Sequence, residues 1–215
     1  MSAPIHSDAT TSTSATTSTG TGTAALTHST ASHRAATALR IIALAVLMCA
    51  AAGVGRIPVP GTVVGITLQT FVLMIAGLTM SPVEAGAGAL LYLVIGACGA
   101  PVFSGGASTA ALIGPSAGFL FGFVPAVIVT ALLAPSADSR RSSRRSLWRD
   151  TLRSLVACTL GCILVPFAVG VTVQSLVTGV DIRALAAASS VFFVGDAIKA
   201  ATATLLITGA RAARK

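Results

Sequence analysis

Long apolar runs, broken by short polar or Pro/Gly-rich stretches, organise the chain from about residue 39 onward. Six runs stand out, at 39–55, 63–80, 83–99, 114–134, 150–177 and 184–209. A hydrocarbon core of about 30 Å takes about 20 helical residues. The runs therefore predict membrane helices, the shortest of them tilted or set in a locally thinned bilayer. The fold class expected is an all-α, polytopic membrane protein with six transmembrane helices. Residues 1–35 are different: about half are Ser or Thr, too few are apolar to build a core, and no signal-peptide core is present. They predict a disordered Ser/Thr-rich tail ahead of a membrane domain over 36–215.

Charge supplies an independent check on the number of spans. Arg34 precedes the first run and Arg40 stands at its start. Arg140, Arg141, Arg144, Arg145, Arg149 and Arg153 cluster between the fourth and fifth or at their edges, and Arg211, Arg214 and Lys215 follow the sixth. With six spans all of these fall on one side, and only Arg56 and Arg183 on the other. Five or seven spans would break that separation. The positive-inside rule then places both termini and the 140–153 loop in the cytoplasm. The expected location is the bacterial cytoplasmic membrane, crossed several times.

Composition narrows the function classes. Apolar residues make up 54% and charged residues 9% of the chain, against about 25% charged in a soluble domain. The net charge of +8 does not indicate nucleic-acid binding, because the basic residues sit in short runs between apolar spans. Cys49, Cys98, Cys158 and Cys162 fall in apolar runs without His or acidic neighbours, and His6, His28 and His33 all lie in the tail. No metal site and no cofactor are expected. The chain has no Gly-x-x-x-x-Gly-Lys-Ser/Thr loop and no Ser–His or Cys–His pairing in the spans. It reads as a non-enzyme whose transport, if any, draws energy from a partner or a gradient.

Against this apolar background, Asp196 and Lys199 stand out. They lie three residues apart in the sixth run, so they share one helix face. Counted from Ala184, they sit about 18–23 Å along the helix, near mid-membrane. A charge at that depth costs at least a few kcal/mol, so the two form either a structural ion pair or the docking point of a polar ligand. Two irregular segments, the second without any charge, face the same side. One runs from Arg56 through Pro58 and Pro60 to Gln69. The other runs from Gly96 through Pro101 and Phe103 to Gly106, and continues at Gly114-Pro-Ser-Ala-Gly-Phe119. Non-helical backbone at membrane depth is tolerated where it packs on protein or lines a cavity, so these read as a plug or lid. Gln69 offers either interhelical glue or a ligand donor and acceptor. Tyr92, the only tyrosine, needs a partner for its hydroxyl. Glu84 reads as a charge at a helix N-terminus.

Taken in order, four segments resemble the biotin-specific substrate-capture (S) components, the BioY family, of energy-coupling-factor vitamin transporters. They are Ile66-Thr-Leu-Gln-Thr70 after its proline-rich lead, Tyr92 to Phe103, Gly114-Pro-Ser-Ala-Gly118 and Gly195-Asp-Ala-Ile-Lys199. The resemblance covers the chain from about Ala38 to its end. It implies high-affinity biotin binding and uptake at a site toward the outer face. It also implies a membrane-embedded coupling protein and ATPase subunits as partners, with the bilayer as surroundings. The acidic residue and the lysine of the last helix would hold biotin, here Asp196 and Lys199. Gln69 would complete the polar set, and Tyr92, Phe103 and Phe119 would form the apolar wall. The chain departs from the family in having Gly65 where a proline is usual and Phe119 where a tyrosine is usual. In place of Ala-x-x-x-Ala on the first helix it has Ala45, Cys49 and Gly53. The other readings are an S component for another vitamin and a non-transporting membrane scaffold.

Overall fold

The structure, a computed structural model, describes residues 22–61, 64–135 and 144–213. The chain divides into two units, Met1–Ala36 and Thr37–Lys215. In the first unit the described part is helical and begins at Gly22, and residues 1–21 of the expected tail lie outside the described residues. The second unit is all-helical. Its helices are α1 (Gly22–Gly53, of which Thr37 onward belongs here), α2 (Gln69–Thr79), α3 (Pro82–Ala97), α4 (Ala117–Leu133), α5 (Arg144–Cys158), α6 (Val165–Thr178), α7 (Ile182–Ser189) and α8 (Val191–Ala213). A short 3-10 turn, Thr109–Leu112, precedes α4, and a π-helical segment, Thr159–Leu164, joins α5 to α6 without a break.

Helix boundaries follow local chemistry. At α3, Ser81 Oγ accepts from the Glu84 amide at 3.3 Å while Glu84 Oε2 accepts from the Ser81 amide at 3.2 Å. With Pro82 next, this reciprocal cap satisfies N–H groups that a helix start leaves open. Glu84 also accepts from Thr37 Oγ1 at 3.1 Å and lies 3.6 Å from Arg40 Nη1, so it sits at a helix N-terminus as the sequence suggests. Asp181 caps α7, its Oδ1 accepting from the amides of Arg183 and Ala184 at 2.8 and 3.2 Å. At the opposite polarity, Arg153 Nε donates to the Leu133 carbonyl at 2.8 Å and Arg211 donates to the Leu78 carbonyl. Cations thus meet the open carbonyls at the ends of α4 and α2.

Among the described residues, three helices are long and apolar enough to cross a bilayer by length and composition: His33–Gly53, Leu147–Thr178 and Val191–Ala213. The other apolar helices, α2, α3 and α4, are shorter. Two expected spans differ in detail. The second begins at Gln69 rather than near residue 63, because the Pro58/Pro60 segment folds back. Ile57 and Ile66 exchange a pair of 2.9 Å backbone hydrogen bonds, which uses groups a helix would need. The sixth breaks after Ser189 into α7 and α8. Asp196 and Lys199 therefore lie about 7.5 and 12 Å into α8, in its first half, rather than about 18–23 Å along one unbroken helix. The π segment comes just before Pro166. A proline has no N–H for the carbonyl four residues back, and the wider turn accommodates that gap.

The core centres on α4, which packs on α6, α3 and α2. Leu73, Met74, Ala89, Tyr92, Ala126 and Val127 are fully enclosed there with Met48 of α1. A smaller cluster joins Val59 of the first loop to Phe119, Val171, Leu185 and Phe192. That cluster holds the Pro58/Pro60 segment against α4, α6, α7 and α8. The outward faces are apolar as well: Val46, Leu90 and Ile198 are 59%, 53% and 64% exposed. Such faces suit lipid rather than water. Of the small-residue row on α1, Ala45 is buried in the core and only Cys49 and Gly53 retain exposure.

Candidate functional site

Beneath the two irregular segments lies a cavity of about 420 Å³, within the size range of small-molecule sites. α8 supplies its polar floor. With a 3.6-residue repeat, Phe192, Phe193, Asp196 and Lys199 share the inward face of α8, while Val194 and Ile198 point outward. Lys199 Nζ donates to Asp196 Oδ1 at 2.8 Å, to Thr70 Oγ1 at 3.0 Å and to the Thr67 carbonyl at 2.6 Å. Thr70 Oγ1 in turn donates to Asp196 Oδ1 at 2.8 Å. Side-chain exposures of 12% and 13% mark the pair as largely withdrawn from solvent. Burying such a pair is tolerable because the hydrogen bonds are made together with the charge contact. The lysine also ties the first loop, through Thr67, to α8.

Gln69, at the first position of α2, is 2% exposed and lines the same cavity. Its Nε2 donates to the Tyr92 hydroxyl at 2.6 Å, and its Oε1 accepts from Thr67 Oγ1 at 3.1 Å. Tyr92 passes its own proton to the Val102 carbonyl at 3.2 Å. These contacts fix the orientation of the amide.

Aromatic side chains build the walls. The Phe103 ring stands edge-on to Tyr92, centroids 5.3 Å apart and planes at 83°. Phe119 meets Phe192 in the same manner at 6.1 Å and 86°, and Phe167 lies 4.7 Å from Phe193. Phe103 has its seat because position 96 is glycine: a Cβ there would fall 2.1 Å from the ring. The second segment closes over it, with the Phe103 amide donating to the Ala107 carbonyl at 2.9 Å. In the first segment, a Cβ at Gly65 would lie 2.7 Å from the Ile57 carbonyl, so the Ile57–Ile66 bridge is built around glycine at that position.

Of the residues singled out in the sequence, Asp196, Lys199, Gln69, Phe103 and Phe119 therefore face one cavity. Tyr92 does not: it is fully buried behind Gln69 and Phe103, where it orients both. Its hydroxyl is drawn inward by Gln69 and Val102 rather than toward the open space. Sequence reasoning passed over Thr67, Thr70, Phe192, Phe193, Phe167, Ser104 and Arg56 as lining residues. Phe192 sits one helical turn before Asp196, and Thr67 and Thr70 flank Gln69, so helical spacing carried that much of the signal. Among the described residues, no group of three or more His, Cys, Asp or Glu side chains is placed to hold a metal ion.

The arrangement brings one carboxylate, one ammonium, one guanidinium and one oriented amide to an aromatic pocket. It suits reversible binding of a small, partly apolar molecule carrying N–H donors. The family model described as "BioY family" matches residues 22–215. The biotin transporter BioY of Rhizobium etli is 33% identical over 153 residues, 71% of this chain and 78% of that protein. The biotin transporter BioY of Rhodobacter capsulatus is 32% identical over 72% of this chain and 82% of its own length. The probable biotin transporter BioY of Bacillus subtilis is 32% identical over 67% and 74%. In three dimensions the chain is similar to the crystal structure of the S-component for biotin from an ECF-type ABC transporter. The TM-score is 0.74 at 20% identity, covering 84% of this chain and 93% of that one. With the family model matched over most of its length and relatives above 30% identity, this chain is a multi-pass membrane protein that belongs to the BioY family.

Proposed function

We propose that this protein binds biotin with high affinity and takes it up, as the substrate-specific component of an energy-coupling-factor transporter. The observation that carries this reading is the polar floor beneath aromatic walls. Biotin has a ureido group with two N–H donors and a carbonyl, an apolar thiophane ring and a valerate chain. Asp196 accepts, Gln69 both donates and accepts, and Phe103, Phe119 and Phe192 enclose the ring. The biotin transporters among its relatives support the same ligand. The partners in this reading are a membrane-embedded coupling protein and ATPase subunits, which supply the energy that this chain has no loop to harvest.

In this reading the protein spans the bacterial cytoplasmic membrane six times with both termini inside. Residues 1–35 form a tail and 36–215 the membrane domain. The fifth span is the continuous Leu147–Thr178 helix and the sixth is α8. Arginine side chains on the ends of α2 and α4 support a cytoplasmic face there, which leaves the two irregular segments outside. The deciding experiment is binding of labelled biotin to the purified protein in detergent. Saturable binding, competed by unlabelled biotin and not by riboflavin or thiamine, is the expected result. An absence of saturable biotin binding, with tight binding of another vitamin, overturns it.

A further inference from the structure

The polar floor leaves open which end of the ligand it meets, and the hydrogen-bond count of Lys199 answers that. An ammonium group has three N–H donors. Those of Lys199 go to Asp196 Oδ1, Thr70 Oγ1 and the Thr67 carbonyl. No donor remains for a ligand carboxylate unless this network is broken. Asp196 Oδ1 takes both Lys199 and Thr70, which leaves Oδ2 to accept from a ligand. The floor is therefore an acceptor, suited to the N–H groups of the ring, with no ammonium donor left over for a carboxylate.

A second polar station lies elsewhere on the wall. Arg56, at the start of the first irregular segment, lines the cavity and is exposed. Its guanidinium approaches the second segment: a Cβ on Gly105 would come 3.8 Å from Arg56 Nε. The neighbouring Ser104 also lines the cavity, and its Oγ is buried with no hydrogen-bond partner among the described residues. A buried hydroxyl without a partner is unfavourable, and a ligand acceptor would relieve that. A guanidinium and a hydroxyl together offer a carboxylate the charge-assisted bonds it prefers.

We propose that Arg56 and Ser104 hold the carboxylate of the bound ligand, with the ring directed inward to Asp196. Arg56 then sets specificity for the acid form, and Lys199 acts by positioning Asp196 rather than by touching the carboxylate. This rests on the biotin reading above. The test compares biotin with biotin methyl ester, which keeps the ring and removes the negative charge. Binding of each is measured by calorimetry for the wild type, Arg56→Gln, Ser104→Ala and Lys199→Met.

The wild type prefers biotin, and in Arg56→Gln that preference falls by about tenfold, the effect of one charge-assisted bond at a partly exposed site. Ser104→Ala reduces the preference to a smaller degree. Lys199→Met weakens both ligands alike. Retention of the full preference in Arg56→Gln overturns the inference, as does its selective loss in Lys199→Met alone. A wild type that binds neither ligand overturns the biotin reading itself, so the two failures are distinguishable.

Discussion

Gln69 Nε2 lies 2.6 Å from the Tyr92 hydroxyl, a contact between the start of α2 and the middle of α3 that sets the amide before any ligand arrives. The tyrosine is a positioning residue. Its hydroxyl fixes which way Gln69 presents its oxygen, and its ring supports Phe103. Tyr92→Phe keeps the ring and removes the bond. Stability should fall by about 1 kcal/mol, and biotin affinity by about three- to tenfold as the amide gains freedom. Thermal unfolding in detergent and calorimetry with biotin measure the two effects. Unchanged affinity would show that Gln69 is held by Thr67 alone.

The Asp196–Lys199–Thr70 network predicts an asymmetry between single and double substitutions. Lys199→Met strands a carboxylate that is only 13% exposed, and breaking one side of such a pair costs about 3 kcal/mol or more. Asp196→Asn strands the ammonium in the same way. The double variant removes both charges, so it should unfold at a higher temperature than either single variant and still bind no biotin. A double variant less stable than both singles would contradict a pair whose charges are mutually compensating.

Phe103 and Gly96 make a packing prediction. The ring occupies the space that a Cβ at position 96 would need. Gly96→Ala should therefore push the ring off its seat against Tyr92 and cost about 1–3 kcal/mol, as over-packing does. Adding Phe103→Leu to Gly96→Ala should recover part of that stability, because the smaller side chain yields room. It should not recover ligand affinity, since the aromatic wall is then lost. A double-mutant cycle on thermal stability reads the coupling, and additive effects would place the ring elsewhere.

Much of this could be read in the sequence because a bilayer enforces simple rules. The apolar runs mark the helices, and the cost of intramembrane charge draws the eye to Asp196 and Lys199. The prolines before Gln69 and the Gly-rich run around Phe103 mark the two irregular segments. Elements decided by tertiary contacts were harder to see. The backbone pairing of Ile57 with Ile66 shortens α2, and nothing in the apolar run 63–80 shows it. The break after Ser189 separates α7 from α8 within one apolar run. Phe192, Phe193 and Phe167 look like ordinary lipid-facing or core residues until α8 and α6 are set side by side. Tyr92 was legible as a hydroxyl in need of a partner, but the sequence did not show that the partner would be Gln69.

Cys98 gives a test of orientation that uses a native residue. It is the exposed cysteine among the described residues, whereas Cys158 and Cys162 are buried and Cys49 is partly so. It directly follows α3, which on the proposed topology ends at the outer face. A membrane-impermeant maleimide should therefore label the protein in intact cells, and Cys98→Ser should remove that labelling. Arg149 is exposed near the start of α5, on the side assigned to the cytoplasm. Arg149→Cys in the Cys98→Ser background should label only after the cells are permeabilised. The reverse pattern would invert the orientation and place the cavity mouth inside. Labelling of both positions in intact cells would require a different number of spans between α3 and α5.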